Sequence, residues 1–465
     1  MPKKLNKAGQ QQEYVPSGNG DASGEYADDG GSNRHFTAFK KPDTGSDTTS
    51  NDGQKVVKGK PQTFIKFKKD QNNSNEESIK QAREKATQIL SGTCSKLNEQ
   101  HKNTFKKVID ETNDEGVAIL SDYIKANDKL NINFGNAGRN AAGYASGNTI
   151  VTNGEVHTIR HEIGHTFDTF IGKDFAKNNK AIWDGKGYAS VEFIDEESGK
   201  TMNEMIHEEL GIAMYKGTLK GWRIAYVKQG RDSYEKKKEA FERINVAFQK
   251  YGNKLYDEET GITNARERYK LLRNQDNDAR NKYLWGNEAI KGTDLEKEYN
   301  EANKAKWDAE SAYARDIYSK GGYSVTYNDS PEVVNARKIY DEVRQKVDEE
   351  KRKAYENAFP KKLQDELNTL LHAEYMVSKK MEGIRGIVGD TQDYLNVGAS
   401  TFFTLRGHGK HYFDQRKEGG YVIEIFANMF DSYTDKESWK KDCIREMFPK
   451  TSKIFEKIYA MKGHN

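Results

Sequence analysis

Two histidines and a glutamate stand at a spacing that suits metal-dependent hydrolysis. His161 and His165 are four residues apart, and Glu162 directly follows the first of them. Side chains at this spacing share one face of a helix, so both imidazoles can reach a single Zn²⁺ ion. The carboxylate of Glu162 then lies beside the ion, where it can take a proton from a water molecule. The motif therefore predicts a zinc site with a general base next to it.

The residues that flank the motif are patterned as one amphipathic helix. Thr152 and Glu155 have the spacing of a capping box, which predicts the start of the helix. Gly164 lowers helix stability and packs nothing, so we expect another part of the chain to approach its backbone closely. Apolar residues recur at steps of three and four and form a stripe that faces the core. The residues of this stripe are Val156, Ile159, Ile163, Phe167 and Phe170.

Two histidines at this spacing also occur on ordinary polar helix faces. The helix cap and the apolar stripe behind the motif are the context that a metal-binding helix needs, and they favour the metal site.

The composition limits the class of protein. Of 465 residues, 34% are hydrophobic and 32% are charged, so part of the chain must be solvated helix or disordered. The net charge of +3 is small for this length and gives no reason to expect a nucleic-acid or membrane partner. Cys94 and Cys443 are the only cysteines. They exclude a disulfide scaffold and a cysteine-rich zinc site, and they fit a reducing compartment.

The sequence contains no targeting or membrane-spanning pattern. No apolar segment of signal-peptide length follows the N-terminus, and no stretch approaches the length of a membrane span. We therefore expect no signal peptide, no membrane partner and a location inside a cell or a particle.

The first half of the chain divides into two regions. Residues 1–75 are rich in Gly, Ser, Asp and Asn and predict a disordered arm, in which residues 10–28 are either a docking segment or a linker. Residues 76–220 contain predicted helices, predicted strands at residues 130–134 and 141–151, and the motif helix. This order is the one that a zincin metallopeptidase domain needs. In such a domain, the strand before the motif is a sheet edge that can pair with an extended peptide.

The second half of the chain also divides into two regions. Residues 221–389 form long, highly charged helical segments, and the spacing of Ala336, Tyr340 and Val343 predicts a helical hairpin or coiled-coil arm. Both charge signs are interspersed there, which favours a spacer or partner-binding insertion over a nucleic-acid or membrane surface. Residues 390–465 are expected to complete the catalytic domain and to supply its third metal ligand.

Two glutamates are candidates for the third ligand that a catalytic zinc site with two histidines needs. Glu204 follows Asn203 in a segment that looks like the Asn-Glu helix of thermolysin-type enzymes. Glu424 follows Gly419-Gly420, which predicts a turn that opens an apolar helix. Burying the charge of Glu424 in such a helix requires a compensating partner, whereas a polar segment could solvate Glu204. The residues alone leave both glutamates open.

Two segments near the C-terminus carry a resemblance to known metallopeptidases. Glu424-Ile-Phe-Ala-Asn-Met-Phe and Phe448-Pro-Lys-Thr-Ser-Lys-Ile-Phe resemble the Glu-bearing and terminal helices of the anthrax lethal factor catalytic domain. The segment Gly407-His-Gly-Lys-His-Tyr412 resembles the metallopeptidase-like domains of phage minor head (head morphogenesis) proteins. The resemblance covers roughly residues 100–170 and 395–462. It implies an α+β zincin-like fold interrupted by the charged helical insertion.

The resemblance also implies a set of functional residues. His161, His165 and Glu424 would be the metal ligands, and Glu162 the general base. The lethal factor group has a tyrosine seven residues before its glutamate ligand, where this chain has Lys417. We therefore predict that Tyr412 stabilises the oxyanion, with Tyr421 as the second choice. His408 and His411, in the glycine-containing segment, are candidates for substrate binding.

The expected protein is a zinc-dependent endopeptidase that cleaves a protein or peptide by activating water. By resemblance alone, it is encoded by a phage or mobile element, is located in the host cytoplasm or the virion, and has capsid or portal proteins as partners. One alternative is a non-catalytic phage head protein that uses a zincin-like fold as a scaffold. The other is a toxin protease, which the N-terminal arm would also suit.

Overall fold

The computed structural model describes residues 4–5, 11–12, 76–137, 141–179, 187–219, 222–227, 234–398 and 401–461. The chain divides into two compact units, Met1–Gln62 and Thr63–Asn465. In the first unit, strands β1 (Lys4–Leu5) and β2 (Gln11–Gln12) pair antiparallel. The rest of the predicted disordered arm lies outside the described residues, as does most of the candidate docking segment.

The second unit is an α+β structure, as the sequence predicts. Its elements before the motif and in the motif region are α1 (Glu76–Ser91), α2 (Glu99–Asp110), α3 (Asp114–Ala126), β3 (Asn131–Phe134), β4 (Gly143–Ser146), β5 (Thr149–Thr152), α4 (Val156–Asn179), α5 (Ala189–Glu192), α6 (Met202–Glu209), β6 (Met214–Leu219) and β7 (Trp222–Val227). The remaining elements are α7 (Tyr234–Thr260), α8 (Ala265–Ala279), a π-helix (Arg280–Trp285), α9 (Asp294–Ser319), a 3₁₀ turn (Tyr327–Asp329), α10 (Pro331–Ala358), α11 (Lys361–Lys380), α12 (Ile384–Leu395), α13 (Lys410–Thr434), α14 (Trp439–Met447) and α15 (Thr451–Tyr459).

A three-stranded mixed sheet lies before the motif helix, in the order β3-β5-β4. Strand β3 pairs parallel to β5, and β4 pairs antiparallel to it. The single strand predicted over residues 141–151 is wrong, because Gly147, with a φ of +60°, turns the chain between β4 and β5. The strand directly before the motif is therefore the central strand. The sheet edge expected at that place is β4 instead.

The motif helix α4 begins at Val156, later than the predicted capping box would place it. Thr152 belongs to strand β5, and its hydroxyl accepts a hydrogen bond from the backbone of Gly154. The side chain of Asn153 accepts one from the backbone of Glu155. The capping-box prediction is wrong because this Asn-Gly turn separates strand from helix. The predicted apolar stripe is confirmed by the complete burial of Ile159 and Ile163.

A continuous hydrophobic core joins most helices of the second unit, whereas the buried residue of α9, Ala302, lies outside it. Helix α13 packs against α4 and α12, and α7 packs against α11, α12 and α14. Phe241, Phe248 and Tyr256 of α7 are buried in this core. The first helix of the predicted insertion thus packs on helices from the C-terminal region. The predicted boundary at residue 389 falls inside α12.

Helices α9 and α10 form the helical hairpin that the sequence predicts. They pack mainly on each other, and Ala302 is the buried residue of α9. Val343 and Val347 of α10 are buried, in agreement with their spacing. Both charge signs line the exposed faces of the pair, where they form ion pairs such as that between Lys346 and Glu298.

Within the described residues, no helix is both long enough and apolar enough to cross a membrane.

Candidate metal centre

Three side chains from two helices converge at the predicted motif. His161 and His165 lie one turn apart on α4, and their Nε2 atoms are 3.1 Å from each other. Glu424 of α13 places Oε2 at 3.5 Å from Nε2 of His161 and at 3.2 Å from that of His165. In the part of the chain that the structure describes, they form the one group of three or more His, Cys, Asp or Glu residues whose ligand atoms converge, all within 4.8 Å.

The spacing of these atoms fits one tetrahedral zinc ion. Zinc lies about 2.0–2.2 Å from nitrogen and carboxylate ligands, so its ligand atoms are about 3.3 Å from one another. The three measured separations, 3.1 Å, 3.2 Å and 3.5 Å, bracket that value. Two imidazoles and one carboxylate are also the donor set of many catalytic zinc sites, which leave a position for water. The residues present therefore fit the group that the sequence predicts.

The charges of the cluster support a cation at this position. The side chain of Glu424 is only 2% exposed, and burial acts to raise the pKa of its carboxyl. The charge of His165 and hydrogen bonds from both histidines outweigh burial and hold that pKa well below its ordinary value. Burial lowers the pKa of His161, but Glu424 and Glu162 together raise it above its ordinary value. The raised pKa of His161 means that, in the absence of metal, a proton on this histidine supplies positive charge beside Glu424.

Helices α4 and α13 approach each other closely at the level of the ligands. A Cβ atom on Gly164 would lie 3.0 Å from Cα of Ala427 and 3.0 Å from Cβ of Phe430. A side chain at this position would require the neighbouring atoms to move by a few tenths of an ångström, so glycine favours the close approach of the two helices. The prediction that Gly164 marks a close contact is confirmed. The contact brings Glu424, one turn before Ala427, towards the two histidines.

A buried ion-pair network holds the same two helices together. Arg160, next to His161 and only 2% exposed, donates from Nε to Asp431 at 2.7 Å and from Nη2 to Asp435 at 2.6 Å. Its Nη1 donates to the backbone carbonyl of Glu111 at 2.9 Å. Asp431 lies two turns after Glu424 on α13. The network therefore fixes α4 relative to the helix that supplies the third ligand.

The general base predicted by the motif lies next to the edge strand. Glu162 is 6% exposed, and an added Cβ on Gly143 of β4 would lie 3.1 Å from its Oε1 atom. Strand β4 pairs with β5 on one side and is one of the two edge strands of the sheet formed by the described residues. Along β4, Tyr144 and Ser146 are exposed. The carboxylate of Glu162 is thus adjacent to a backbone edge that an extended chain could pair with.

The alternative third ligand, Glu204, has a structural role. Its carboxylate accepts a hydrogen bond from the backbone of Thr201, whose hydroxyl accepts one from the backbone of Glu204, so the pair forms the capping box of α6. Glu204 is 3% exposed, and the prediction that a polar segment solvates it is wrong. The segment is buried because α6 packs against α13 and α15. Glu424, not Glu204, lies with the histidines.

Tyr412 and His408 both contact Glu424. The hydroxyl of Tyr412 donates to Glu424 Oε1, and Nε2 of His408 lies 3.6 Å from Glu424 Oε2. His411 is exposed. The hydroxyl of Tyr421, the second-choice tyrosine, lies 2.9 Å from the hydroxyl of Thr391. The ring of Tyr421 stacks on Tyr394 in a buried aromatic cluster.

Helix α13 runs without interruption from Lys410 to Thr434. The turn predicted at Gly419-Gly420 is therefore wrong, because helical hydrogen bonding continues through both glycines. The helix starts early enough to carry Tyr412 in its first turn and Glu424 three turns later. One continuous helix thus positions both side chains.

Sequence reasoning missed two buried polar residues beside the site. Asp390 of α12 is 1% exposed and lies 2.8 Å from Nδ1 of His408, and Asn428 of α13 donates to it at 3.0 Å. The available signal was a single carboxylate two residues after Val388, in a helix pattern that also contains Ile387. Such an acid is buried at a cost unless it has partners.

Comparisons with protein-family models, with curated proteins and with solved structures find no match to this chain.

Proposed function

We propose that this protein is a zinc-dependent endopeptidase of the zincin type. The observation that supports the proposal best is the convergence of His161, His165 and Glu424, with Glu162 beside the edge strand β4. A general base next to a three-ligand metal site is the arrangement needed for hydrolysis by activated water. The zincin resemblance of the sequence agrees with this assignment.

The chain's own residues would divide the work as follows. His161, His165 and Glu424 would hold the zinc ion, which when bound would supply Lewis-acid chemistry and a more acidic water. Glu162 accepts the proton of the attacking water and returns it to the leaving amine. Tyr412 donates a hydrogen bond to Glu424, which orients the carboxylate towards the histidines.

The edge strand favours a peptide over a small molecule as the substrate. Strand β4 presents backbone N–H and C=O groups next to Glu162, and an extended peptide can bind them as an added strand. A carbonyl group of such a peptide would lie within reach of the cluster. Pairing through backbone atoms is tolerant of side chains, so sequence preference would come from the surrounding surface.

The phage or mobile-element setting, the host-cell or virion location, and capsid or portal proteins as partners belong to this proposal on the strength of the resemblance alone. In the scaffold alternative, the protein would have the cluster of His161, His165 and Glu424 but would not hydrolyse peptides. A toxin protease would hydrolyse peptides by the same mechanism and would differ in its substrate.

Exchange of Glu162 for Gln tests the enzymatic proposal. We expect Glu162→Gln to retain zinc and the fold but to lose cleavage of denatured casein and of a mixed fluorogenic peptide library, because an amide cannot accept the water's proton. His372→Ala, a change at an exposed position of α11, is the control. Equal turnover by parent and Glu162→Gln would contradict the assigned role. Zinc binding with no cleavage by the parent would favour the scaffold alternative.

A matched pair of glutamates tests the ligand set. Glu424→Gln should weaken zinc binding by more than about 100-fold, because loss of an outer-shell partner alone costs roughly 10–100-fold. Glu204→Gln, also buried in a helix, should leave zinc affinity within about threefold, since Glu204 caps α6. Zinc affinity is measured by competition with a chromophoric chelator. The reverse result would assign the third ligand to Glu204.

A further inference from the structure

One buried carboxylate links the ligand-bearing face of α4 to an exposed arginine. His157, His161 and His165 recur at steps of four, so their side chains share one face of the helix. His157, one turn before the first ligand, has 25% of its side chain exposed and places Nε2 at 3.4 Å from Oε1 of Glu382. The same oxygen lies 2.6 Å from Nη1 of Arg406. Arg406 is thus placed beside the first turn of α4, next to the metal cluster.

The position of Arg406 in the chain agrees with this placement. Arg406 comes two residues before His408, whose Nε2 atom is 3.6 Å from Oε2 of Glu424. Its backbone is packed on α12, where its N–H donates to the carbonyl of Arg385 at 3.4 Å. A Cβ atom on Gly389 would overlap the carbonyl oxygen of Arg406. The segment that carries Arg406 is therefore held in position close to the third ligand.

Two guanidinium groups share the carboxylate of Glu382. This carboxylate is buried, and its Oε2 atom lies 3.4 Å from Nη1 of Arg385. Arg385 is also buried, and it donates to the backbone carbonyls of Thr404 at 2.5 Å and Ser378 at 3.1 Å. The side chain of Arg406, in contrast, is 49% exposed. One positive charge of the group therefore remains in excess, and the exposed side chain presents it to solvent.

The charges around this group favour an added anion. Burial lowers the pKa of Arg385, Glu382 acts to raise it, and the charge of Arg406 lowers it. The two guanidinium charges thus repel each other. Glu155 faces Nδ1 of His157 at 3.8 Å, whereas Glu382 faces Nε2 of the same ring. Because 44% of the side chain of Glu155 is exposed, solvent screens its charge.

The unoccupied edge of the Arg406 guanidinium suits a carboxylate. Its Nη1 atom is paired with Glu382, and among the residues that the structure describes neither Nε nor Nη2 has a partner. These two nitrogens lie along one edge of the planar group and can donate two parallel hydrogen bonds to the oxygens of a carboxylate. A lysine would offer only a point charge at the same place.

We propose that Arg406 binds a carboxylate of the peptide substrate and so selects an acidic group at one position near the scissile bond. This assignment rests on the proposed peptidase function and names the substrate class of the same site. Glu382 and Arg385 position Arg406. The carboxylate belongs to an Asp or Glu side chain or to the C-terminus of the peptide, since both present the same chemistry to a guanidinium. Backbone pairing along β4 sets the register between that carboxylate and the cluster.

The first experiment identifies the position that Arg406 reads. Short peptides of random sequence, amidated at the C-terminus, are digested with the zinc-loaded full-length protein, and the products are sequenced by mass spectrometry. Asp and Glu should be enriched at one fixed position relative to the cleaved bond, and Arg406→Gln should remove the enrichment. Cleavage at a fixed distance from a free C-terminus, abolished by amidation and by Arg406→Gln, would instead identify the terminal carboxylate as the group that is bound.

The second experiment measures binding without turnover. Two peptides that differ only in the presence of the selected carboxylate are titrated by calorimetry against Glu162→Gln, with and without Arg406→Gln. The acidic peptide should bind about 10-fold more tightly than its neutral partner when Arg406 is present, and within about twofold when it is absent. Arg406→Lys should retain about a threefold preference, because it keeps the charge but not the paired donors.

A matched arginine and the metal serve as controls. Arg337 of α10 is 37% exposed and pairs with Glu310 at 2.6 Å, so Arg337→Gln removes a similar ion pair in the hairpin. It should keep the full preference for the acidic peptide. Zinc affinity, measured by chelator competition, should remain within about threefold in every Arg406 variant, because Arg406 is not a ligand.

Cleavage by the parent without preference for a carboxylate would overturn the role of Arg406, as would a preference that persists in Arg406→Gln. If Arg406→Gln does not fold, Arg406→Lys decides the same question, since an undiminished preference in that variant contradicts paired donation. A parent that cleaves neither the amidated nor the free-acid peptides would overturn the proposed function, and this role with it. A failure of the function is thus seen as absence of products, whereas a failure of this inference is seen in the sequences of the products.

Discussion

Two pairs of long helices in this protein are held together by different means. Helices α4 and α13 approach closely at Gly164, bury an arginine between two aspartates, and carry the three converging ligands. Helices α9 and α10 are of similar length, but exposed charges dominate their surfaces. Their ion pair between Lys346 and Glu298 spans 2.8 Å, with 58% and 47% of the two side chains exposed.

This difference shows that the relative position of α4 and α13 must be exact, whereas that of α9 and α10 need not be. Three atoms from two helices meet a metal ion only if the helices cannot slide or separate, and close packing with buried polar contacts prevents both. Exposed ion pairs stabilise a helical hairpin weakly and tolerate small shifts. The ligand-bearing pair should therefore respond strongly to single substitutions, and the hairpin should respond weakly.

The two helix pairs should differ most in the free energy of unfolding that is lost when one of their ion pairs is removed. Arg160→Met leaves the carboxylates of Asp431 and Asp435 buried without their arginine, so it should lower the free energy of unfolding by about 3–5 kcal/mol. Lys346→Met in the hairpin should lower it by at most about 1 kcal/mol, because solvent screens the pair. Urea denaturation measures both. Equal losses in the two variants would remove the distinction between the two pairs.

The two helix pairs should differ less in the free energy of unfolding that is lost when a larger side chain is introduced. Gly164→Val should cost about 1–3 kcal/mol, since its first carbon already meets Ala427 and Phe430 at 3.0 Å. It should also weaken zinc binding, because the helices must separate at the level of the ligands. Ala305→Val, at an exposed position of α9, should cost only about 0.5 kcal/mol through helix propensity. A Gly164→Val protein with unchanged zinc affinity would show that the close approach does not position the ligands.

The smallest effect concerns pH and a buried histidine next to the ligand-bearing helix. Burial lowers the pKa of His207 to about 4, although a hydrogen bond to the backbone of Asn203 acts in the opposite direction. The unfolded chain binds this proton near its ordinary pKa of about 6.5, so stability falls as pH decreases below that value. Between pH 7 and pH 5.5 the loss from this group is about 1 kcal/mol.

The matched variant is His207→Gln, whose stability should change less over the same interval than that of the parent. The α9–α10 hairpin contains no histidine in its sequence, so no histidine of the hairpin changes the stability between pH 7 and pH 5.5. Parallel pH profiles for parent and variant would contradict the assignment to His207.

The sequence predicted those parts of the site that depend on local periodicity. His161, Glu162 and His165 follow from the helical repeat, and the close contact follows from a glycine that the helix alone would not select. Glu424 was chosen over Glu204 by resemblance, and the structure places it with the histidines.

The remaining features depend on tertiary contacts that a sequence pattern does not contain. Helix α13 continues through Gly419-Gly420, where the glycines alone suggest a turn. The partnership of Asp390 with His408 joins two segments across a loop, and neither residue has a local pattern that indicates the other. Glu204 was read as solvated because its neighbours in sequence are polar, yet helix packing buries it. The fold class was accessible from sequence, whereas these partnerships required the structure.

The most direct test of the central claim is anomalous diffraction at the zinc absorption edge from crystals of the zinc-loaded protein. One peak should lie within about 2.0–2.2 Å of Nε2 of His161, Nε2 of His165 and an oxygen of Glu424. A peak elsewhere, or no peak at these residues in crystals that contain zinc, would contradict the assignment of the metal centre.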